Sequence, residues 1–352
     1  MRIMVGIGHP KQVHFWKNII INLVNTGHDV KIVAWDKDIT LYLLNVYGFE
    51  YEIIGENYRG LIKKAYGMFV SELKVLKVVR KFKPDILVAG APYLAHVSRL
   101  IGKPHIDFTD TENAHLANWL SSPFTDVIIT PSCYKGKFDP KKHIKFNGYM
   151  ELAYLHSNYF RPDPSVLDEL GLAKDSKFAI VRFVAWDASH DIGDKGFINK
   201  NKVIDVLDQY CKLFISSELK LPEEYQKYKI DILPEKIHSL MYYADLFIGE
   251  SASMACESAI LSTPSIFVST SRRGYTDELE AKYEMIFNFS DPKNGQENAL
   301  KKAIELLEDK GTKNKWQEKR NKLLKEKIDV TEFITELIEN YPESLHDLKE
   351  YN

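Results

Sequence analysis

The chain has 352 residues, of which 45% are hydrophobic and 12% aromatic, and its formal net charge is −2. This length predicts two domains, each with enough apolar residues for a core. A charge near zero gives no reason to expect nucleic acid or an anionic membrane as the main partner. No segment approaches the roughly 18 consecutive apolar residues of a membrane-spanning helix. A peripheral membrane contact and the oligomeric state stay open.

The three cysteines, Cys133, Cys211 and Cys256, are far apart and form no CxxC pair or other metal-binding spacing. We therefore expect free thiols in a reducing compartment and no metal site. The apolar run at the start, Met1–Gly6, is too short for a signal peptide. Together these features predict a cytoplasmic protein.

Short apolar runs alternate with amphipathic segments from the start of the chain. Ile3–Ile7 is predicted to be a strand, and a helix over Gln12–Thr26 follows the turn at Gly8. This pattern is typical of a doubly wound α/β domain. The third glycine of a dinucleotide fingerprint is missing, and no convincing ribose-binding acid ends the second strand. An NAD site is therefore disfavoured.

The alternation restarts in the second half of the chain, after an irregular segment at Tyr149–Pro164 that we interpret as a linker or hinge. We therefore predict an α/β fold with two Rossmann-like domains, residues 1–160 and 161–352, that face a central cleft. A ligand is expected in that cleft, at the carboxyl ends of both sheets. The C-terminal helices are expected to brace the first domain, and the last helix to cross back to it.

The stretch Asp245–Val268 reads as strand, tight turn, helix and strand. Gly249 allows the turn, and Ser251 and Ser253 lie where the helix should begin. The free N–H groups of such a helix start suit a phosphate, and Glu257 is spaced to accept hydrogen bonds from ribose hydroxyls. The alternative is an ordinary capped βαβ unit.

Two polar segments of the first half are candidates for catalysis. His9 and His14 flank the first strand–helix turn, where either could act as a base or bind a phosphate or hydroxyl. Asp110 and Glu112 lie in a Thr-Asp-Thr-Glu run after a buried strand, and either could be a general base. The alternatives are helix packing for His14, a turn role for His9, and N-capping for the acidic run.

Three cationic features of the second half could neutralise an anionic ligand. Arg182 lies inside an apolar strand, where it needs an anionic partner, and His190 lies on the polar loop that follows. Arg272 and Arg273 follow the strand after the Ser251 helix and could neutralise a diphosphate. The alternatives are a structural ion pair for Arg182 and a solvated turn for the two arginines.

These pieces together resemble the GT-B superfamily of sugar-nucleotide enzymes, which includes GT-B glycosyltransferases and non-hydrolysing UDP-N-acetylglucosamine 2-epimerases. The chain is most similar to a largely uncharacterised GT-B-like subgroup. The resemblance is carried by the Gly8–Phe15 turn, Gly27–Val30, Pro84–Val88 and above all Gly249–Glu257.

The resemblance implies a role for each matching position. It implies that Gly249, Ser251 and Ser253 bind the diphosphate and that Glu257 holds the ribose. Gly8 and His9 would face the donor phosphates or the acceptor. The base would be recognised around Leu233–Ile237.

The chain departs from the epimerases at three places. Gly90-Ala91 stands where they have Gly-Asp. Only Glu112 is kept from their His-x-Glu-Ala-Gly-x-Arg segment, and Arg182 and His190 have a different spacing from their Thr-x-His-Arg. We therefore predict a metal-independent glycosyltransferase with a nucleoside-diphosphate sugar, expected to be a UDP-sugar, as substrate and no cofactor. The alternatives are an epimerase-like or sugar-nucleotide-hydrolysing enzyme, and a non-catalytic nucleotide-sugar binding protein. The acceptor is not predicted.

Overall fold

The computed structural model describes residues 1–56, 61–173, 175–185, 195–218 and 220–345, without the side chains of residues 61–65. The chain forms two compact units. The first comprises Met1–Tyr154 together with the residues from Ile328 onward, and the second comprises Leu155–Lys327. Each unit is built around its own parallel β-sheet with helices, which confirms the predicted α/β class.

The first unit contains a sheet of seven strands among the described residues, in the order β3-β2-β1-β4-β5-β6-β7, and its neighbouring strands run parallel. The central strand is apolar on both faces, as a sheet covered by helices on both sides requires. The strands are β1 (Arg2–Ile7), β2 (Asp29–Asp36), β3 (Tyr51–Glu56), β4 (Ile86–Ala89), β5 (His105–Phe108), β6 (Val127–Pro131) and β7 (His143–Phe146). The helices are α1 (Pro10–Asn25), α2 (Thr40–Val46), α3 (Leu61–Phe82), α4 (Tyr93–Ile101), α5 (His115–Ser121) and α6 (Leu152–Leu155), at whose end the second unit begins.

The second unit contains a sheet of five strands among the described residues, in the order β12-β11-β10-β8-β9, again parallel throughout. Its strands are β8 (Phe178–Phe183), β9 (Lys212–Ser217), β10 (Leu246–Gly249), β11 (Ser265–Val268) and β12 (Ile286–Phe289). Its helices are α7 (Ser165–Glu169), α8 (Lys200–Leu207), α9 (Ile237–Tyr243), α10 (Ala252–Ile260), α11 (Gly274–Ala281), α12 (Gly295–Glu308) and α13 (Thr312–Glu326), with 3-10 turns at Glu223–Tyr228 and Pro234–Lys236.

The last helix, α14 (Val330–Glu339), returns to the first unit and packs against α1. The Ile328 amide donates to the Asn147 carbonyl at 3.0 Å. The Ala153 carbonyl accepts from the Thr331 hydroxyl at 2.7 Å and from the Asn18 amide at 2.9 Å. The first unit is therefore built from two separated stretches of the sequence.

Three local predictions differ from the structure. Tyr149–Pro164 is not irregular at its start, because Tyr149 and Leu152–Leu155 are buried and the latter are helical. The helix α5 has no clear apolar period and was not predicted. The residue types of Lys229–Leu233 also predict a strand, but this segment forms only a single bridge, between Lys229 and Ile215 of the edge strand β9. None of its five residues is buried, so no core contact holds it along the sheet.

Candidate functional site

The turn between β10 and α10 has the geometry that the sequence predicts. A Cβ on Gly249 would lie 2.7 Å from the Cβ of Arg182 and 2.9 Å from its carbonyl oxygen, so only glycine allows β10 and β8 to approach this closely. The Ser251 hydroxyl accepts from the Met254 amide at 3.3 Å and caps α10. The amides of Ala252 and Ser253 then form the open first turn that any helix start presents to an anion.

Glu257 lies further along α10 and is buried. Its Oε1 lies 3.2 Å from Nε2 of His238, which is also buried, on the neighbouring helix α9. His238 follows the 3-10 turn at Pro234–Lys236, so the segment expected to recognise a base leads directly into Glu257's partner. The sequence offered no signal for this pair, because the residues lie on different elements.

Glu250 is a residue that sequence reasoning missed. Its carboxylate is buried and accepts from the amides of Val184 at 2.7 Å and Phe197 at 2.8 Å, and it lies 3.0 Å from the ammonium of Lys200. A Cβ on Gly196 would lie 2.2 Å from this carboxylate. Glu250 therefore fixes the chain on both sides of residues 186–194.

A cavity of about 570 Å³ lies at the carboxyl edge of the second sheet. Its wall is formed by the ends of β8, β11 and β12 and by the segment 195–200 that Glu250 anchors. This volume is in the range of small-ligand sites. Among its lining residues are Lys195, Phe197, Lys200, Thr270 and Asp291.

The three candidate arginines of the second unit all have protein partners. Arg182 donates to Ser216 at 2.8 Å and pairs with Glu218, both beside β8 on the β9 side. Arg272 is exposed and pairs with Asp277 and Glu280 on α11. Arg273 is buried as the N-cap residue of α11 and donates to the Ser271 hydroxyl at 2.8 Å. A phosphate role for any of them stays a prediction.

His190 lies outside the described residues, as does the rest of the polar loop from 186 to 194. Its catalytic role stays a prediction.

In the first unit, the turn after β1 holds Gly8, His9 and His14 in different environments. The Gly8 amide donates to the Gln12 side chain at 2.7 Å. His9 is exposed and caps α1 through its Nδ1, which accepts from the Lys11 amide at 3.2 Å. His14 is buried, with Nδ1 3.1 Å from the Tyr47 hydroxyl and its ring stacked on Tyr154. His14 therefore packs against side chains of the first unit, as the alternative to a catalytic role predicts.

Asp110 is drawn into a charged cluster of three residues. The Lys11 ammonium lies 2.5 Å from Asp110 Oδ2 and 2.8 Å from Glu151 Oε1. Glu151 is fully buried, and its Oε2 has no hydrogen-bond partner among the described residues. Burial raises the pKa of Glu151, and the charge of Asp110 adds to this, while Lys11 opposes it. Glu151 was not predicted as a site residue, because it lies in the segment interpreted as a linker.

Asp107, on β5, is another carboxyl group with a shifted pKa. Burial raises the pKa of Asp107 to about 7, so this carboxyl changes its charge near neutral pH. Burial, together with the charges of Glu112, Asp110 and Asp107, raises the pKa of the Tyr134 phenol to about 12. Glu112 accepts from the Lys135 amide at 3.3 Å. At the carboxyl edge of the first sheet, two carboxyl groups, Asp110 and Glu151, therefore share the Lys11 ammonium.

The structure brings the predicted residues together in two groups, one in each unit. Gly8, His9 and Asp110 lie around Lys11 in the first unit. In the second, Gly249, Ser251, Ser253 and Glu257 share the β10–α10 segment, and Arg182 adjoins Gly249. Lys11, Asp107, Glu151, His238 and Glu250 are additions that the sequence did not identify as site residues.

Most of the chain is similar in sequence to proteins without a known function. Residues 1–343 match the model of a family described as "Protein of unknown function (DUF354)". An uncharacterized protein of Methanocaldococcus jannaschii is 24% identical over 277 residues, which are 75% of this chain and 80% of that protein.

Solved structures share the fold at low sequence identity. The UDP-GlcNAc 2-epimerase from Neisseria meningitidis bound to UDP-GlcNAc superposes with a TM-score of 0.72 at 12% identity, over 99% of this chain and 100% of that one. The spinosyn rhamnosyltransferase complexed with thymidine diphosphate gives a TM-score of 0.63 at 13% identity, over 97% and 100%. The UDP-GlcNAc 2-epimerase of Methanocaldococcus jannaschii, in complex with UDP-GlcNAc and UDP, gives 0.62 at 14% identity, over 86% and 93%. The predicted GT-B-like fold is therefore confirmed.

Proposed function

We propose, for a chain that belongs to the DUF354 family of proteins of unknown function, that it is a glycosyltransferase with a nucleoside-diphosphate sugar as donor. The observation that carries this proposal is the capped start of α10 at the end of β10, with buried Glu257 and His238 behind it. Structures with this fold include a UDP-GlcNAc 2-epimerase bound to UDP-GlcNAc and a rhamnosyltransferase complexed with thymidine diphosphate, which supports a similar ligand class here.

The second unit would bind the donor. The first-turn amides of α10 point along the helix axis, where the partial positive charge of the helix favours a diphosphate. Glu257 would accept hydrogen bonds from the ribose, and His238 would hold its carboxylate in position. The same amides would stabilise the charge that develops on the leaving diphosphate.

The first unit would act on the acceptor. A general base works best with a pKa close to the operating pH, and the Asp107 carboxyl has a pKa of about 7. Asp107 lies on β5, three residues before Asp110, and we propose it as the base that takes the proton of the acceptor hydroxyl. Asp110 would orient the acceptor, with its own position fixed by Lys11. We propose that no metal ion takes part, and unchanged activity in excess EDTA is the expected result.

A charge-reversal experiment at the helix start tests the donor site. Ser251→Asp keeps an N-capping oxygen, so α10 should stay folded, but it places a negative charge where the diphosphate would bind. We expect the wild type to be stabilised by UDP, UDP-GlcNAc or dTDP in a thermal-shift assay and Ser251→Asp to lose that shift.

Asn199→Asp is the matched control, since Asn199 caps α8 in the same unit by accepting from the Lys202 amide at 3.0 Å. It adds the same charge to another helix start and should keep the nucleotide-induced shift. If no nucleotide stabilises the wild type, or if Ser251→Asp responds like the control, the donor site is wrong.

An epimerase-like or hydrolysing enzyme is the second candidate. It is favoured by two carboxyl groups of the first unit, Asp107 and Glu151, whose pKa values burial raises. Asp107, with a pKa of about 7, can hold and release a proton near neutral pH. Incubation with UDP-GlcNAc and no acceptor separates the candidates by ¹H NMR. Rapid conversion without acceptor supports this second candidate. Binding without conversion supports glycosyl transfer, and an acceptor screen with the bound donor then separates a transferase from a binding protein.

A further inference from the structure

Three neighbouring helices of the first unit expose large apolar side chains to solvent. On α3 these are Tyr66, Phe69 and Leu73, spaced so that they share one face of the helix. Trp119 on α5 is 72% exposed and Leu100 on α4 is 71% exposed. Isolated exposed apolar residues are ordinary, whereas a cluster of large ones marks an interaction surface.

The three helices are held side by side. α4 packs against both α3 and α5. His96 on α4 lies 2.6 Å from the Glu72 carboxylate of α3 through Nδ1 and 3.0 Å from the Leu120 carbonyl of α5 through Nε2. Leu73 and Trp119 are the chain neighbours of these two contact points, and Leu100 lies one helical turn after His96. The exposed residues therefore belong to one surface, the α3–α5 patch, formed by Tyr66, Phe69, Leu73, Leu100, Leu116 and Trp119.

The charge of this surface is opposite to that of the chain as a whole. The three helices carry seven lysines and arginines and one acidic residue, Glu72, in a protein whose net charge is −2. Glu72 is turned to His96. On α3 the face of Leu73 continues into Lys77 and Arg80, which are exposed. The apolar patch is thus bordered by cations.

We propose that the α3–α5 patch docks the protein on an anionic lipid bilayer. A basic helix with an apolar face that includes aromatic residues is the surface that inserts at a bilayer interface, where Trp and Tyr are favoured and anionic headgroups attract Lys and Arg. A second copy of the chain fits less well, because pairing this surface with itself would bring its cations together. Among the described residues no helix is long and apolar enough to cross a membrane. This inference does not rest on the proposed donor site.

Vesicle co-flotation of the full chain tests the proposal. We expect the protein to float with vesicles of equimolar phosphatidylcholine and phosphatidylglycerol, to stay behind with phosphatidylcholine alone, and to be released by high salt. Lys74→Gln/Lys77→Gln should lower the partition coefficient about 30-fold, as expected for the loss of two cations near an anionic surface. Leu73→Ser/Trp119→Ser should lower it as well.

The variants change exposed side chains, and unchanged circular dichroism and melting temperature will verify that each is folded. Val24→Ser is the control, because Val24 is 51% exposed in the same unit but lies on α1. It should float like the wild type. If the wild type floats with neither vesicle, or if the two double variants bind as it does, the proposal is wrong. Light scattering that finds a dimer which Leu73→Ser/Trp119→Ser converts to a monomer would assign the patch to a second copy instead.

Discussion

Glu151 is a fully buried carboxyl group whose nearest charges are the Lys11 ammonium and the Asp110 carboxylate. A buried ion pair adds little net stability, but removal of one partner leaves a buried charge without compensation. The effect of each substitution here therefore depends on which charge is left behind.

Lys11→Met should lower the free energy of unfolding at neutral pH by about 3–5 kcal/mol, and Lys11→Met/Glu151→Gln should recover much of the loss. Urea denaturation of the wild type, of Lys11→Met and Glu151→Gln alone, and of the double variant gives the coupling energy between Lys11 and Glu151. In Lys11→Met the folded-state pKa of Glu151 should rise further, so the folded state binds more protons than the unfolded state. Stability should then fall as the pH rises above the ordinary glutamate pKa. A loss in Lys11→Met that is unchanged by Glu151→Gln would contradict this account.

Asp107 predicts a pH dependence of its own. Its pKa is raised from 3.8 to about 7 in the folded protein, so its contribution to stability is fully present below the unfolded pKa and is lost as the pH rises through about 7. Asp107→Asn should therefore flatten the decline in unfolding free energy between these pH values. Asp85→Asn is the contrasting control, because the Arg2 amide lowers the pKa of Asp85, so its contribution is lost as the pH falls. The same slope in wild type and Asp107→Asn would refute the assignment.

For individual residues, the sequence predicted which side chains have a role more reliably than it predicted the partners of those side chains. Ser251 was predicted as a cap because the capping residue and the helix it caps are adjacent in the chain. Arg182 was predicted to need an anion, but its partner Glu218 follows another strand, β9, and is 36 residues away in the sequence. Glu151 and His238 were missed for the same reason, since their roles depend on contacts with residues far away in the sequence.

In the turn between β10 and α10, position 249 requires glycine because β8 and β10 approach each other closely there. Gly249→Ala should lower the free energy of unfolding by about 1–3 kcal/mol, since its Cβ would meet the Cβ and carbonyl oxygen of Arg182, which can move only if β8 moves. Gly295→Ala on α12 is the matched control, because its Cβ would lie 3.5 Å or more from its neighbours. Chemical denaturation should find the control close to wild type or more stable. Equal losses in the two variants would mean that the close approach of β8 and β10 is not what requires glycine.

Helices and strands with a clear hydrophobic pattern were predictable from sequence. Segments whose conformation depends on tertiary contacts were not. The central strands β1 and β10 are buried on both faces and read as continuous apolar runs, such as Ile3–Ile7. The segment at Lys229–Leu233 has the residue types of a strand, but none of its residues is buried, so it forms only a bridge to the edge strand β9. Tyr149–Leu155 has no clear period, and its contacts are with elements far away in the sequence: Asn18 and His14 of α1 and Thr331 of α14.

Because α14 returns to the first unit whereas α13 belongs to the second, each of these C-terminal helices should stabilise a different unit. Ile334 on α14 and Leu323 on α13 are both fully buried, but they belong to different units. Ile334→Ala and Leu323→Ala should each cost about 2–5 kcal/mol. Hydrogen exchange followed by mass spectrometry should find faster exchange in β1 and α1 for Ile334→Ala, and in β10 and β11 for Leu323→Ala.

The two variants serve as controls for each other. Faster exchange of the same peptides in both would mean that the units unfold together and that the helices cannot be assigned to one unit each.

The divided first unit also has a consequence for synthesis on the ribosome. Tyr154 leaves the ribosome long before Ile328, and at about 5–20 residues per second the delay is on the order of ten seconds or more. During that time α1 and the Ala153 carbonyl lack the helix that covers them, whereas the second unit is continuous and can complete its core as it emerges. During synthesis the first unit therefore lacks α14 for that interval, and a chaperone that shields α1 would act then.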